Sequence, residues 1–147
     1  MKRLLVVNGP NLNLLGEREQ AIYGEKSLNE IEQMLASMGR EAQIEVEFFQ
    51  SNHEGDIVDR LQKAQGRCDG IIINPAAFTH TSVAVRDAVA AIRVPTIEVH
   101  MSNIYAREEF RRHSFVAPVA RGQISGFGWY SYVLAFLAAK AILTGEV

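Results

Sequence analysis

The chain has 147 residues and a mass of 16.3 kDa, the size of one ordinary domain, able to bury roughly two thirds of the surface its unfolded form exposes. With 48% hydrophobic and 22% charged residues and a net charge of -2, it lacks the basic signature of a nucleic-acid partner. Cys68 is its only cysteine, which excludes an internal disulfide and a cysteine-built zinc site. The opening Met1–Pro10 stretch sets basic residues ahead of a run of only four apolar ones, too few for a secretory core, and no later segment is long enough to span a bilayer. The expectation is a single cytoplasmic domain over residues 1–147, with no membrane partner.

Along the chain, Arg3–Val7 (RLLVV) is a continuous apolar run closed by Asn-Gly-Pro, which predicts a strand buried on both faces. Ser27 and Glu30 have capping-box spacing, and Leu28, Ile31, Leu35 and Met38 recur at helical period until Gly39, where the helix is expected to close. Ile44–Phe49 predicts a second strand, Glu54–Gly66 a helix, Asp69–Pro75 a third strand, Ser82–Ile92 a helix and Val94–Met101 a fourth strand. After a polar, Arg-rich stretch from Asn103 to His113, Ser114–Gly126 reads as a fifth strand, irregular around Pro118, and Trp129–Leu143 as a terminal helix. Repeated strand–helix alternation requires right-handed crossovers. Its commonest five-strand solution is the flavodoxin-like α/β fold, a three-layer αβα sandwich with a parallel sheet of order 2-1-3-4-5.

In that order the connections reverse between the first and third strands, and a ligand is expected outside the carboxyl ends of the strands there. The segments leaving those ends carry Asn8, Asn11, Arg18, Tyr23, Asn74, His80, Ser82, Glu98, His100, Ser102, Arg107 and Arg111. A rim this rich in His, Asn, Tyr and Arg predicts a polar active site. Asn8 reads as a turn residue, and Asn74 before Pro75 has an equally structural explanation. Glu98 and His100, two apart on one strand, share a face, so the carboxylate can fix the imidazole tautomer. The rim lacks zinc spacing, Gly-x-Gly-x-x-Gly, a Walker loop and a Gly-x-Ser-x-Gly elbow, so neither metal nor cofactor is expected. All four lysines, Lys2, Lys26, Lys63 and Lys140, lie off it, which argues against Schiff-base chemistry. Two readings stay open: acid–base catalysis on a polar, anionic substrate, and a non-catalytic flavodoxin-like binder of a polyhydroxy carboxylate or nucleotide.

NGPNLNLLGERE with YG, then NPAAFTHTS, EVHMSN and REEFRRHS, in this order and spacing, resemble the type II 3-dehydroquinate dehydratases of the shikimate and quinate pathways over essentially the whole chain. The resemblance implies a homododecamer, a tetramer of trimers, that dehydrates 3-dehydroquinate to 3-dehydroshikimate without a cofactor. It implies Tyr23 as base, His100 as proton donor, Arg18 as stabiliser of the tyrosinate, Asn11 as holder of a water on the enolate oxygen, and Glu98 as orienter of His100. Asn74, His80, Met101, Ser102 and Arg111 would bind substrate, with Asp87 reaching a neighbouring subunit's site. The roles suit the chemistry. A phenolate is a stronger base than a carboxylate by roughly 6 pK units, and a guanidinium within about 4 to 6 Å favours the phenolate over the phenol. Gln20 stands where the family usually has proline, which predicts a less stiff loop, and Ala76 and Phe78 replace a usual Gly and Tyr.

Overall fold

The computed structural model describes residues 1–147. Its strands are β1 (Lys2–Asn8), β2 (Ile44–Gln50), β3 (Gly70–Asn74), β4 (Thr96–His100) and β5 (Gly122–Ser125). All pair in parallel, in the order β2-β1-β3-β4-β5. The flavodoxin-like α/β sandwich expected from the alternation is the fold observed. The helices are α1 (Gln20–Tyr23), α2 (Leu28–Ala42), α3 (Glu54–Ala64), α4 (Val83–Ala91) and α5 (Tyr130–Leu143).

The continuous apolar strands follow from two cores, one on each face of the sheet. Leu4 and Val6 of β1 and Ile72 of β3 pack with Ile31 and Leu35 of α2 and Tyr132 and Phe136 of α5. Leu5, Val7, Ile71 and Ile73 point the other way, onto Ile57 and Leu61 of α3 and Val85 and Val89 of α4. A strand that alternates between two dry layers has no polar side to show. On α5 the buried side chains include Tyr132, Val133, Ala135 and Phe136, whereas Tyr130 and Leu137 are exposed. No helix is long and apolar enough to cross a membrane.

Three local expectations are corrected. The capping box at Ser27 and Glu30 forms with both reciprocal bonds, but α2 runs through Gly39 to Ala42 and closes at Gln43, in the left-handed region at φ 58°. Gly39 is instead a packing glycine. A β-carbon there would lie 2.6 Å from Val46 Cγ2 and 2.7 Å from the Ile44 carbonyl oxygen. The fifth strand is only Gly122–Ser125, because the chain before it forms a short turn at Ala117–Val119 with Pro118 inside it. Asn8 is fully buried, and its side chain accepts from Tyr132 Oη rather than making a turn.

In an open helix interior, glycine to alanine stabilises by about 1 kcal/mol. At Gly39 the sign should reverse, because the Ile44 backbone cannot yield and overpacking costs about 1 to 3 kcal/mol. Gly39→Ala is expected to lower the urea unfolding midpoint while leaving the pocket at the far end of the sheet unchanged.

Candidate active site

β1 and β3 end side by side, and the chains leaving them nearly touch. The Gly9 N–H donates to the Asn74 carbonyl at 2.8 Å, and a β-carbon on Gly9 would lie 2.4 Å from the Pro75 carbonyl oxygen. Only glycine permits this approach. Beyond it the first loop turns at Asn11, whose backbone is left-handed at φ 68° and whose N–H donates to Asn52 Oδ1 at 3.0 Å. Buried Leu12 and Leu15 anchor this turn in the core. From Gly16 (φ 90°) to Gly24 (φ 83°) a loop segment carries Arg18 and the single turn α1, which ends on Tyr23. Gln20 ties the segment across its base, its Nε2 donating to the Gly16 carbonyl at 2.7 Å.

These segments enclose one pocket with the chains that follow β3 and β4. Asn11, Arg18, Tyr23, Asn74, His80, His100, Met101, Ser102 and Arg111 line it, joined by Arg107. Glu98 lies behind His100, fully buried. Asp87, by contrast, is exposed on α4, paired with Arg86 at 2.9 Å and outside this pocket. No three His, Cys, Asp or Glu side chains converge as a metal site would require.

Tyr23 is partly buried between two guanidinium groups. Arg107 Nη1 donates to its hydroxyl at 2.9 Å and also reaches Ser102 Oγ at 3.4 Å. Arg18, expected close to Tyr23 on the same loop, has its guanidinium carbon 5.0 Å from the ring centroid and pairs with Glu19 at 3.1 Å. Arg107 was visible as one of several rim arginines; nothing in the sequence singled it out.

His100 donates from Nε2 to Glu98 Oε2 at 2.6 Å, which leaves Nδ1 to carry an exchangeable proton. Glu98 also accepts from Thr79 Oγ1 at 2.8 Å, from Ser114 Oγ at 2.8 Å and from Gln123 Nε2 at 3.2 Å. Burial alone would raise its pKa, but the hydrogen bonds from His100, Thr79 and Ser114 outweigh burial and hold it below 4.5. The carboxylate is therefore ionised and satisfied. Thr79 lies in NPAAFTHTS and Ser114 closes REEFRRHS, whereas Gln123 lies in neither. His80 Nδ1 donates to the His113 carbonyl at 2.8 Å, leaving Nε2 free to accept. Desolvation, with the nearby charges of His100 and Arg111, pushes its pKa below 6.5. Ala76 sits at φ 53°, a strained position for any residue with a β-carbon, which accounts for the glycine usual there.

A profile of the family described as "Dehydroquinase class II" matches residues 2–140. The chain belongs to the class II dehydroquinase family. Among its relatives, the 3-dehydroquinate dehydratase of Endomicrobium trichonymphae is 60% identical over 92% of this chain and 94% of its own. That of Caldicellulosiruptor saccharolyticus is 56% identical over 97% and 99%. The crystal structure of the type II dehydroquinase from Butyrivibrio crossotus superimposes with a TM-score of 0.92 at 47% identity, covering 94% of this chain and 97% of that one. The family and the fold thus agree with what the four rim motifs and the strand order implied.

The two displaced titrations predict the acid limb of stability. His80 binds its proton less readily folded than unfolded, so stability declines as pH falls below 6.5; Glu98, held below 4.5, adds a second loss as pH falls below that value. Urea midpoints measured against pH should show both phases. Glu98→Gln is expected to flatten the second, and a His80 imidazole titrating at or above 6.5 by NMR would contradict the assignment.

Proposed function

We propose that this dehydroquinase dehydrates 3-dehydroquinate to 3-dehydroshikimate through an enolate, without a cofactor, with Tyr23 as base and His100 as acid. The observation that carries the reading is the convergence, in one pocket, of a tyrosine hydroxyl held by a guanidinium and a histidine backed by a buried carboxylate. The Tyr23 phenolate takes the proton alpha to the ketone, and the electron pair passes to the carbonyl oxygen as an enolate. When the enolate collapses, the bond to the β-hydroxyl breaks, His100 Nδ1 supplies the proton, and the hydroxyl leaves as water. Arg107 offers the phenolate a charge-assisted hydrogen bond, and Arg18 adds positive charge at the ring and transition state. Asn11 would hold the water that supports the enolate oxygen.

Asn74, neutral His80, the Met101–Ser102 turn and Arg111 would hold the substrate's hydroxyls and carboxylate. The loop from Gly16 to Gly24 would close over it. The same proposal includes the homododecamer and a cytoplasmic setting. The large exposed side chains Phe127, Trp129 and Tyr130, adjacent at the entry to α5, support an assembled form. Asp87, outside its own chain's pocket, would then complete a neighbour's.

Purified protein with 3-dehydroquinate should generate the ultraviolet absorbance of the conjugated product, and borohydride pretreatment should not abolish it. Tyr23→Phe and His100→Ala should each keep the fold by circular dichroism and lose on the order of 100-fold or more in kcat. Near wild-type kcat in Tyr23→Phe would refute the base assignment.

A further inference from the structure

Tyr132 is fully buried in α5 and does not line the pocket, yet it is bonded to a residue that does. Asn74 Nδ2 donates to Tyr132 Oη at 2.9 Å, and Tyr132 Oη donates to Asn8 Oδ1 at 2.6 Å. The other end of the Asn74 amide accepts from the Ala76 N–H at 3.1 Å. These contacts form one chain, Ala76 to Asn74 to Tyr132 to Asn8, lying just beneath the place where β1 and β3 end.

The chain has a single possible direction. A backbone N–H can only donate, so the atom of Asn74 facing Ala76 must be Oδ1 and the atom facing Tyr132 must be the amide nitrogen. Tyr132 Oη therefore accepts from Asn74, and its one proton must go to Asn8 Oδ1. Asn8 Nδ2 is then left as the only buried side-chain donor or acceptor without a partner. An unpartnered buried amide is costly, and that cost falls at the Asn8 end of the chain, not at Asn74. Burial pushes the Tyr132 phenol far above its ordinary range, and the hydroxyl keeps its proton at every working pH. What Asn74 retains for a ligand is one N–H and one lone pair in fixed orientation.

We propose that Tyr132 is a positioning residue, holding the Asn74 amide in the one orientation that presents its free N–H and lone pair to substrate. The kinetic form of this inference rests on the dehydration reading; its structural form does not. Without the hydroxyl, Asn74 loses the partner that fixes its nitrogen end and can rotate away from the bound substrate. The loss is one of binding shared by ground and transition states, and so appears in KM. A merely destabilised preparation would instead hold fewer active molecules, lowering apparent kcat and leaving KM in place.

The test compares wild type, Tyr132→Phe, Asn8→Ala, Asn74→Ala and the Tyr132→Phe/Asn74→Ala double variant with 3-dehydroquinate. Tyr132→Phe should raise KM about five- to tenfold with kcat nearly unchanged, the scale of one neutral hydrogen bond. Asn8→Ala, which keeps Tyr132 and touches no substrate, should shift KM in the same direction by less, and carries the test if Tyr132→Phe does not fold. The double variant should be no worse than Asn74→Ala. An unchanged KM in the single variants, or losses that multiply in the double one, would overturn the proposal. If wild-type protein shows no turnover, the dehydration reading fails, and the proposal is decided by the Asn74 side-chain amide in the NMR spectrum, assigned by its disappearance in Asn74→Ala. That resonance pair should move and lose exchange protection in Tyr132→Phe and Asn8→Ala; an unmoved pair refutes the positioning role.

Discussion

Everything at the catalytic end hangs on two backbones leaving adjacent strands with almost no space between them. The Gly9 N–H meets the Asn74 carbonyl at 2.8 Å while its α-carbon faces Pro75 too closely for any side chain. Parallel strands deliver every following loop to one rim, but here the loops after β1 and β3 are also fixed against each other as they diverge. One carries Arg18 and Tyr23 outward, the other brings His80. Below the contact lies the buried chain from Ala76 to Asn8, so the seam is hydrogen-bonded both at its backbone and under it.

The pocket separates charge by depth. Glu98, fully buried, lies behind His100 with four donors around it, while Arg18, Arg107 and Arg111 of the lining are more exposed than either. A buried carboxylate is tolerable only when its acceptor sites are filled, which explains why Thr79, Ser114 and Gln123 gather from three separate segments. The arginines have local partners in Glu19 and Glu108, both on the solvent side.

The fold was legible because each layer imposes its own pattern. Strands flanked by two dry faces read as unbroken apolar runs, and the Ser27–Glu30 box marked the start of α2 correctly. Gly39 was misread because a glycine that ends a helix and one that lets a strand approach it look alike without the neighbouring Val46. Rim segments and motifs identified ten of the pocket's side chains, Arg107 among them, since residues leaving the strand ends must converge. The contacts of Arg107 with Tyr23, and of Ser114 and Gln123 with Glu98, were not legible, because these partners lie far apart in sequence. Tyr132 was not singled out, because only its burial shows that its hydroxyl must find a partner inside the protein.

Gln20 alters the nature of the loop's restraint. A proline there would narrow the backbone in every conformation by restricting φ permanently. The bond from Gln20 to the Gly16 carbonyl exists only while the segment holds the geometry described here. It therefore biases a population instead of stiffening a hinge. Once broken, it leaves the segment between Gly16 and Gly24 with more backbone freedom than a proline would grant.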